Sequence, residues 1–207
     1  MTVVVILSIH SNFFRQISAK SDLSAIQHNN VEGENITEYD SGIFFESEKI
    51  YINIQNDRVS VTGHYFFHNH DSGKRIIPLS YPFPVNEEME FPDSISVYLS
   101  DDSSSISFEK NEKHGVVFFA VPVTGLTEFV VSYSQKLHGS TARYILTTTQ
   151  TWKEPLKYAV FSISTPQNFK NLKFNYKPDL TKSEHDCILH IIERTDFMPD
   201  KDLYITW

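Results

Sequence analysis

From residue 43 onward the apolar side chains recur at every second position, and helical spacing is almost absent. Ile50, Ile52 and Ile54 alternate with Tyr51, Asn53 and Gln55. Val59, Val61, Tyr65 and Phe67 then share one face, with Ser60, Thr62 and His64 on the other. Period two marks a strand with one face in a core. Asn56-Asp57 and His70-Asp71-Ser72-Gly73 supply the turns between these runs, because such residues tolerate tight backbone geometry. Further strands are expected at Ser94–Leu99, Ser105–Glu109, Val116–Val123, Glu128–Leu137, Thr141–Thr149, Leu156–Ser164, Leu172–Tyr176, Cys187–Glu193 and Leu203–Trp207. About ten short strands without intervening helices predict an all-β fold, an antiparallel two-sheet β-sandwich with immunoglobulin-like, Greek-key connections and little helix. Pro78, Pro82, Pro84 and Pro92 crowd one segment, which should be an edge strand or irregular crossover because proline cannot donate to a ladder.

The expected organisation is a leader over residues 1–19, a flexible arm over 20–40 and the β-sandwich over 41–207. Thr2 to Ile9 reads TVVVILSI, too short for a transmembrane span of about 20 residues but suited to a signal-peptide core, with Ala19 as a cleavage position. No Lys or Arg precedes that run. The alternative for Thr2–Ile9 is a first strand. Ser11–Gln27 is the best helix candidate and belongs with the leader. Export to the periplasm or cell surface is the expected localisation.

Composition narrows the partners. With 26 acidic against 18 basic residues the net charge is -8, and no basic stripe exists to neutralise phosphates, so nucleic acid and anionic membrane surfaces are not expected partners. Cys187 is the single cysteine, which rules out an internal disulfide and a cysteine-rich zinc site. Alternation groups it with Leu189 and Ile191, as a buried, inert thiol. No two glycines lie within two positions of each other, so no phosphate-cradling loop is available. Gly-x-Ser-x-Gly and His-Glu-x-x-His are also missing. Asp101-Asp102 and Asp200-Lys201-Asp202 lack calcium-loop spacing and read as turns. No catalytic residue, metal ligand or cofactor is assigned.

Val61 to Asn69 (VTGHYFFHN), Tyr81 to Val85 (YPFPV), Arg143 to Thr148 running into Trp152, and Phe197-Met198-Pro199 before Asp202-Leu203 resemble, in that order, a loose group of uncharacterised exported bacterial proteins with an immunoglobulin-like sandwich. A similar Phe-x-Asn and Phe-Pro arrangement occurs in small β domains that precede some von Willebrand-type domains. The resemblance spans most of residues 40–207 and implies a sandwich and export. It carries no activity or site residues, and fold analogy alone licenses no function.

Three features bear on function. His64, His68 and His70 lie in HYFFHNH; a His68-x-His70 pair can clamp a metal, but a site needs a third ligand from elsewhere. Polar histidines entering a hairpin are the simpler account. Trp152, between two strands, either stacks on a ligand or folds back to plug the open end of the sandwich, the reading preferred here. Val116–Val123 is apolar on both faces, so something must cover the outer one: this chain's own arm or proline-rich crossover, a partner envelope protein, or a second copy. The expected function is a non-enzymatic interaction or structural module of the bacterial cell envelope; the alternative is a metal-assisted hydrolase using His68 and His70.

Overall fold

The computed structural model describes residues 42–207. The leader, the arm and the helix candidate Ser11–Gln27 lie outside the described residues. The alternating runs form thirteen strands: β1 (Ile43–Ile54), β2 (Arg58–Asn69), β3 (Arg75–Pro82), β4 (Ser94–Leu99), β5 (Phe108–Asn111), β6 (Val116–Val123), β7 (Leu126–Lys136), β8 (Thr141–Tyr144), β9 (Leu156–Pro166), β10 (Lys173–Phe174), β11 (Leu180–Glu184), β12 (Cys187–Phe197) and β13 (Leu203–Thr206). The described chain is thus mostly β, as the alternation requires.

The sheet arrangement departs from two antiparallel sheets. One seven-stranded sheet runs β11-β12-β9-β1-β2-β7-β4, and two three-stranded sheets run β10-β13-β8 and β3-β6-β5. The large sheet is mixed: β1 pairs antiparallel with β2 but parallel with β9, from Ser47 opposite Tyr158 to Asn53 opposite Ser164. Side-chain alternation is identical in parallel and antiparallel strands, so the sequence pattern could not distinguish them. Both small sheets pack on one face of the large one. Phe119 of β6 meets Phe129 of β7 edge-on at 5.8 Å, and Tyr144 of β8 lies 6.4 Å from Phe161 of β9. The second layer is therefore split.

A single buried cluster joins all three sheets. It includes Ile50, Ile52, Val61 and Phe161 from the large sheet, Val121 from β6, and Leu203 and Ile205 from β13. The proline-rich segment takes the expected place, since Pro78 and Pro82 lie on β3 at the edge of its sheet.

Three local expectations are corrected. The strand expected over Thr141–Thr149 stops at Tyr144 and gives way to a 3-10 helix, Thr147–Trp152. The threonine run has strand propensity, but Asp202 captures the amides of Leu146 and Thr147 and turns the chain. On β12 the buried residues are His190, Ile192 and Phe197, while Cys187 is only half-buried. A histidine can occupy the inner face because hydroxyls satisfy both ring nitrogens, Thr165 at 3.2 Å from Nε2 and Thr181 at 3.1 Å from Nδ1. On β6, Val117, Phe119, Val121 and Val123 face the core. Its outer residues Phe118, Ala120 and Pro122 are half-buried beside Leu99, Ile106 and Phe108 around a groove of about 450 Å³. Within the described chain it is the β4–β5 connection, rather than the proline-rich crossover, that flanks this face.

Candidate functional site

Where the second layer splits, a cavity of about 50 Å³ remains between β1, β2 and β7 below and β3, β6 and β8 above. The 3-10 helix Thr147–Trp152 closes one side. Trp152 folds back as the sequence suggested, with its rings 4.8 Å from Phe67 and 6.2 Å from Phe45. Its indole Nε1 is buried without a hydrogen-bond partner. Glu48, Tyr65 and Tyr144 are buried; Tyr81, Thr148 and Trp152 are half-exposed and mark the solvent side.

Glu48 reaches this cavity through a backbone irregularity. The β1–β2 register shifts between Phe45 and Ser47, leaving Glu46 as an extra residue. Such a bulge resets which side chains face inward. Phe45 and Glu48 consequently both line the cavity, in phase with Ile50, Ile52 and Ile54. The displaced Glu46 turns outward to pair with Lys157, with His68 Nδ1 at 3.7 Å. Hydrogen bonding from Lys157, followed by the charges of Lys157 and His68, outweighs burial and holds the Glu46 carboxyl below its usual range.

Glu48 is 2% exposed, and its Oε1 has no hydrogen-bond partner. Burial pushes the carboxyl up to about 8, so it is mostly protonated at neutral pH. A buried polar atom left unpaired costs about 1–3 kcal/mol and calls for an explanation. Opposite Glu48 in the β1–β2 ladder stands Tyr65. Its hydroxyl lies 2.7 Å from that of Tyr81 and 2.8 Å from that of Tyr144. Burial raises all three phenols above their ordinary range. The Tyr65 ring lies over Gly63, where a Cβ would sit 2.2 Å from the Tyr65 hydroxyl. Only glycine leaves room for that pose.

The wall bearing Trp152 is held from behind by a second buried carboxylate. Asp202 accepts from Leu146 N at 3.0 Å, Thr147 N at 3.1 Å and Thr147 Oγ1 at 2.9 Å through Oδ1, and from Arg143 Nε at 2.9 Å and Nη2 at 2.5 Å through Oδ2. Burial alone would raise its pKa, but the donors from Arg143, Thr147 and Leu146 keep it below the usual aspartate range. Gln150 adds a bond to the Pro199 carbonyl at 2.7 Å.

The three histidines lie elsewhere. His64 pairs with Glu128 at 2.6 Å on the outer face of the large sheet. His68 and His70 come together, ring centroids 4.1 Å apart, with Phe44 against His70. Among the described residues no three His, Cys, Asp or Glu side chains are grouped to hold a metal ion. No helix of the described residues is long and apolar enough to cross a membrane. The residues missed in the sequence are Glu48, Tyr65, Tyr81 and Tyr144, which share no local spacing. One signal was present: stepping back by two from Ile50 places Glu48 on the core face.

No protein-family model matches the chain, and no curated protein matches it significantly. Among solved structures, a chain from Legionella pneumophila described as a "putative nutrient binding protein" superposes with a TM-score of 0.59 at 16% identity. The match covers 79% of this chain and 66% of the other, so this chain spans just under two thirds of that neighbour's length. At this identity the likeness shows the fold alone.

Proposed function

We propose that this protein is a non-enzymatic binding module that receives a small polar molecule in the cavity beneath Trp152. The observation that carries the reading is that two residues lining that one cavity, Glu48 and Trp152, each carry a buried polar atom, Oε1 and Nε1, with no partner among the described residues. A domain selected for stability alone would fill the space with apolar side chains, which pack without unpaired polar groups. The neighbour described as a nutrient binding protein is compatible with this class of activity. The module is proposed to act in the cell envelope, a reading supported by the apolar run Thr2–Ile9 followed by Ala19. Amino-terminal sequencing from the native host tests that part: a chain beginning after Ala19 supports export, and an intact Met1 in the cytosol removes it.

The cavity reading is tested by thermal melts against a panel of polar solutes of up to about five heavy atoms, the number that fits if each takes about 10–15 Å³. A true ligand at a hundredfold excess over Kd should raise Tm by about 5–10 °C. Thr148→Phe, which fills the solvent side without burying a charge, should abolish that shift. A panel with no stabilising member, or one whose shifts survive Thr148→Phe, overturns the reading.

A further inference from the structure

We propose that the ligand of this cavity is a small primary amine in its ammonium form, carrying an oxygen acceptor at its other end, and that Glu48 is its counter-ion. The inference rests on the cavity being a ligand site. Its geometry then restricts the chemistry. The tyrosine hydroxyls already bond one another, Tyr65 to both Tyr81 and Tyr144, which leaves Glu48 Oε1 as the acceptor without a partner among the described residues. Among the described residues no Lys, Arg or His lines the cavity, so an anion would meet an acid and neutral donors, the phenols, the Ser80, Thr148 and Thr149 hydroxyls and the Trp152 indole, with no positive charge to balance it. A metal ion lacks further carboxylate or imidazole ligands among the described residues.

An ammonium fits both kinds of wall. It donates to the carboxylate, and its charge is attracted to aromatic rings, of which Phe45, Phe67, Phe129, Tyr65 and Trp152 line the same space. The second orphan is a donor, the Trp152 indole N–H, which an ammonium cannot satisfy. An oxygen at the far end of the ligand can. Room for about three to five water-sized groups matches a molecule of roughly four heavy atoms.

Binding is coupled to one proton. Glu48 releases its proton to solvent as the ammonium arrives, so charge in the cavity stays balanced. The groups facing it from other strands are Tyr65 on β2, Tyr81 on β3 and Tyr144 on β8, with Tyr133 of β7 beyond Tyr81. Burial holds all four above the ordinary phenol range, and they stay neutral in the working pH range. On β1 itself Glu46 and Lys49 do not line the cavity. Only Glu48 titrates there, near 8.

Calorimetric titration of the full chain with ethanolammonium chloride at pH 6.5 and 8.5 is the test, with ethylene glycol as the neutral analogue. The ionised fraction of a group titrating near 8 rises roughly 20-fold across that interval, and affinity should rise with it. At pH 6.5, buffers of different ionisation heat should report release of about one proton. Glu48→Gln should bind neither compound tightly yet melt cooperatively. Equal affinity at both pH values, or wild-type affinity in Glu48→Gln, overturns the ammonium assignment. Ethylene glycol binding as tightly as ethanolammonium also overturns it but leaves the cavity as a ligand site. Silence from both compounds and from the wider solute panel removes the site as well, and the cavity then holds water alone.

Discussion

Two carboxylates are buried within the same two-layer core, and their surroundings are opposite. Asp202 receives five donor contacts from Arg143, Leu146 and Thr147 and stays ionised. Glu48 has an oxygen that nothing among the described residues reaches, and burial keeps it protonated up to about 8. Burial by itself therefore does not identify a functional acid. What separates the two is whether the chain supplies the partners: Asp202 fastens the wall that carries Trp152, while Glu48 waits at the floor of the space that wall encloses.

The pH dependence of stability should give the largest contrast. The folded pKa of Glu48 is raised from 4.5 to about 8, so the folded state holds a proton that the unfolded chain has lost. Stability from this group is complete below 4.5 and falls as pH climbs to about 8, by up to about 5 kcal/mol over the interval. Denaturant melts of Glu48→Gln should lack this decline; a parallel pH profile would mean that water or relaxation already compensates the acid. Asp202 acts in the other direction, its contribution being present above about 3.8 and lost in acid as pH falls through its depressed folded value.

Next in size is Asp202→Asn, which leaves Arg143 without its counter-charge and should cost about 3 kcal/mol in urea unfolding. If Asp202 is the fastening of the wall, Trp152 fluorescence should shift to the red as well. A loss of stability with an unchanged emission spectrum would separate the clamp from the cavity. Gly63→Ala should cost about 2 kcal/mol, since the new Cβ displaces the Tyr65 hydroxyl from Tyr81 and Tyr144. Ligand binding should fall with it, and retention of both stability and binding would show that the tyrosine cluster is not needed. Arg143→Lys is expected to have the smallest effect, about 1 kcal/mol, because a lysine cannot place two donors on one carboxylate oxygen as Nε and Nη2 do. A thermal melt resolves it.

The strands were legible because alternation is a local property. β4 and β6 fall on Ser94–Leu99 and Val116–Val123, the bounds the pattern predicts. Strand order was not legible, since nothing in Ile50–Ile54 or Leu156–Ser164 declares that the two pair side by side in parallel. The cavity inherits that limit: Glu48, Tyr65, Tyr81, Tyr144 and Trp152 are scattered along the chain, and only the split of the second layer gathers them. Trp152 was found because an isolated loop indole needs a place to bury its rings. Glu48 was overlooked because a carboxylate ordinarily marks the solvent face, although it stands in step with the isoleucines after it; the bulge at Phe45–Ser47 hides only that Phe45 shares that face.

The parallel contact between β1 and β9 also governs when this molecule can become itself. Glu46 and Lys157 meet across 111 residues of chain, and the strand at the centre of the large sheet has an unfilled edge until that later segment arrives. Contacts of such sequence separation are slow to form, because the intervening loop must be closed before any of them is rewarded. A chain halted on the ribosome before Leu156 should present β1 as an open ladder, prone to pair with a neighbour. Completion of the large sheet is thereby deferred until Leu156–Pro166 has been synthesised.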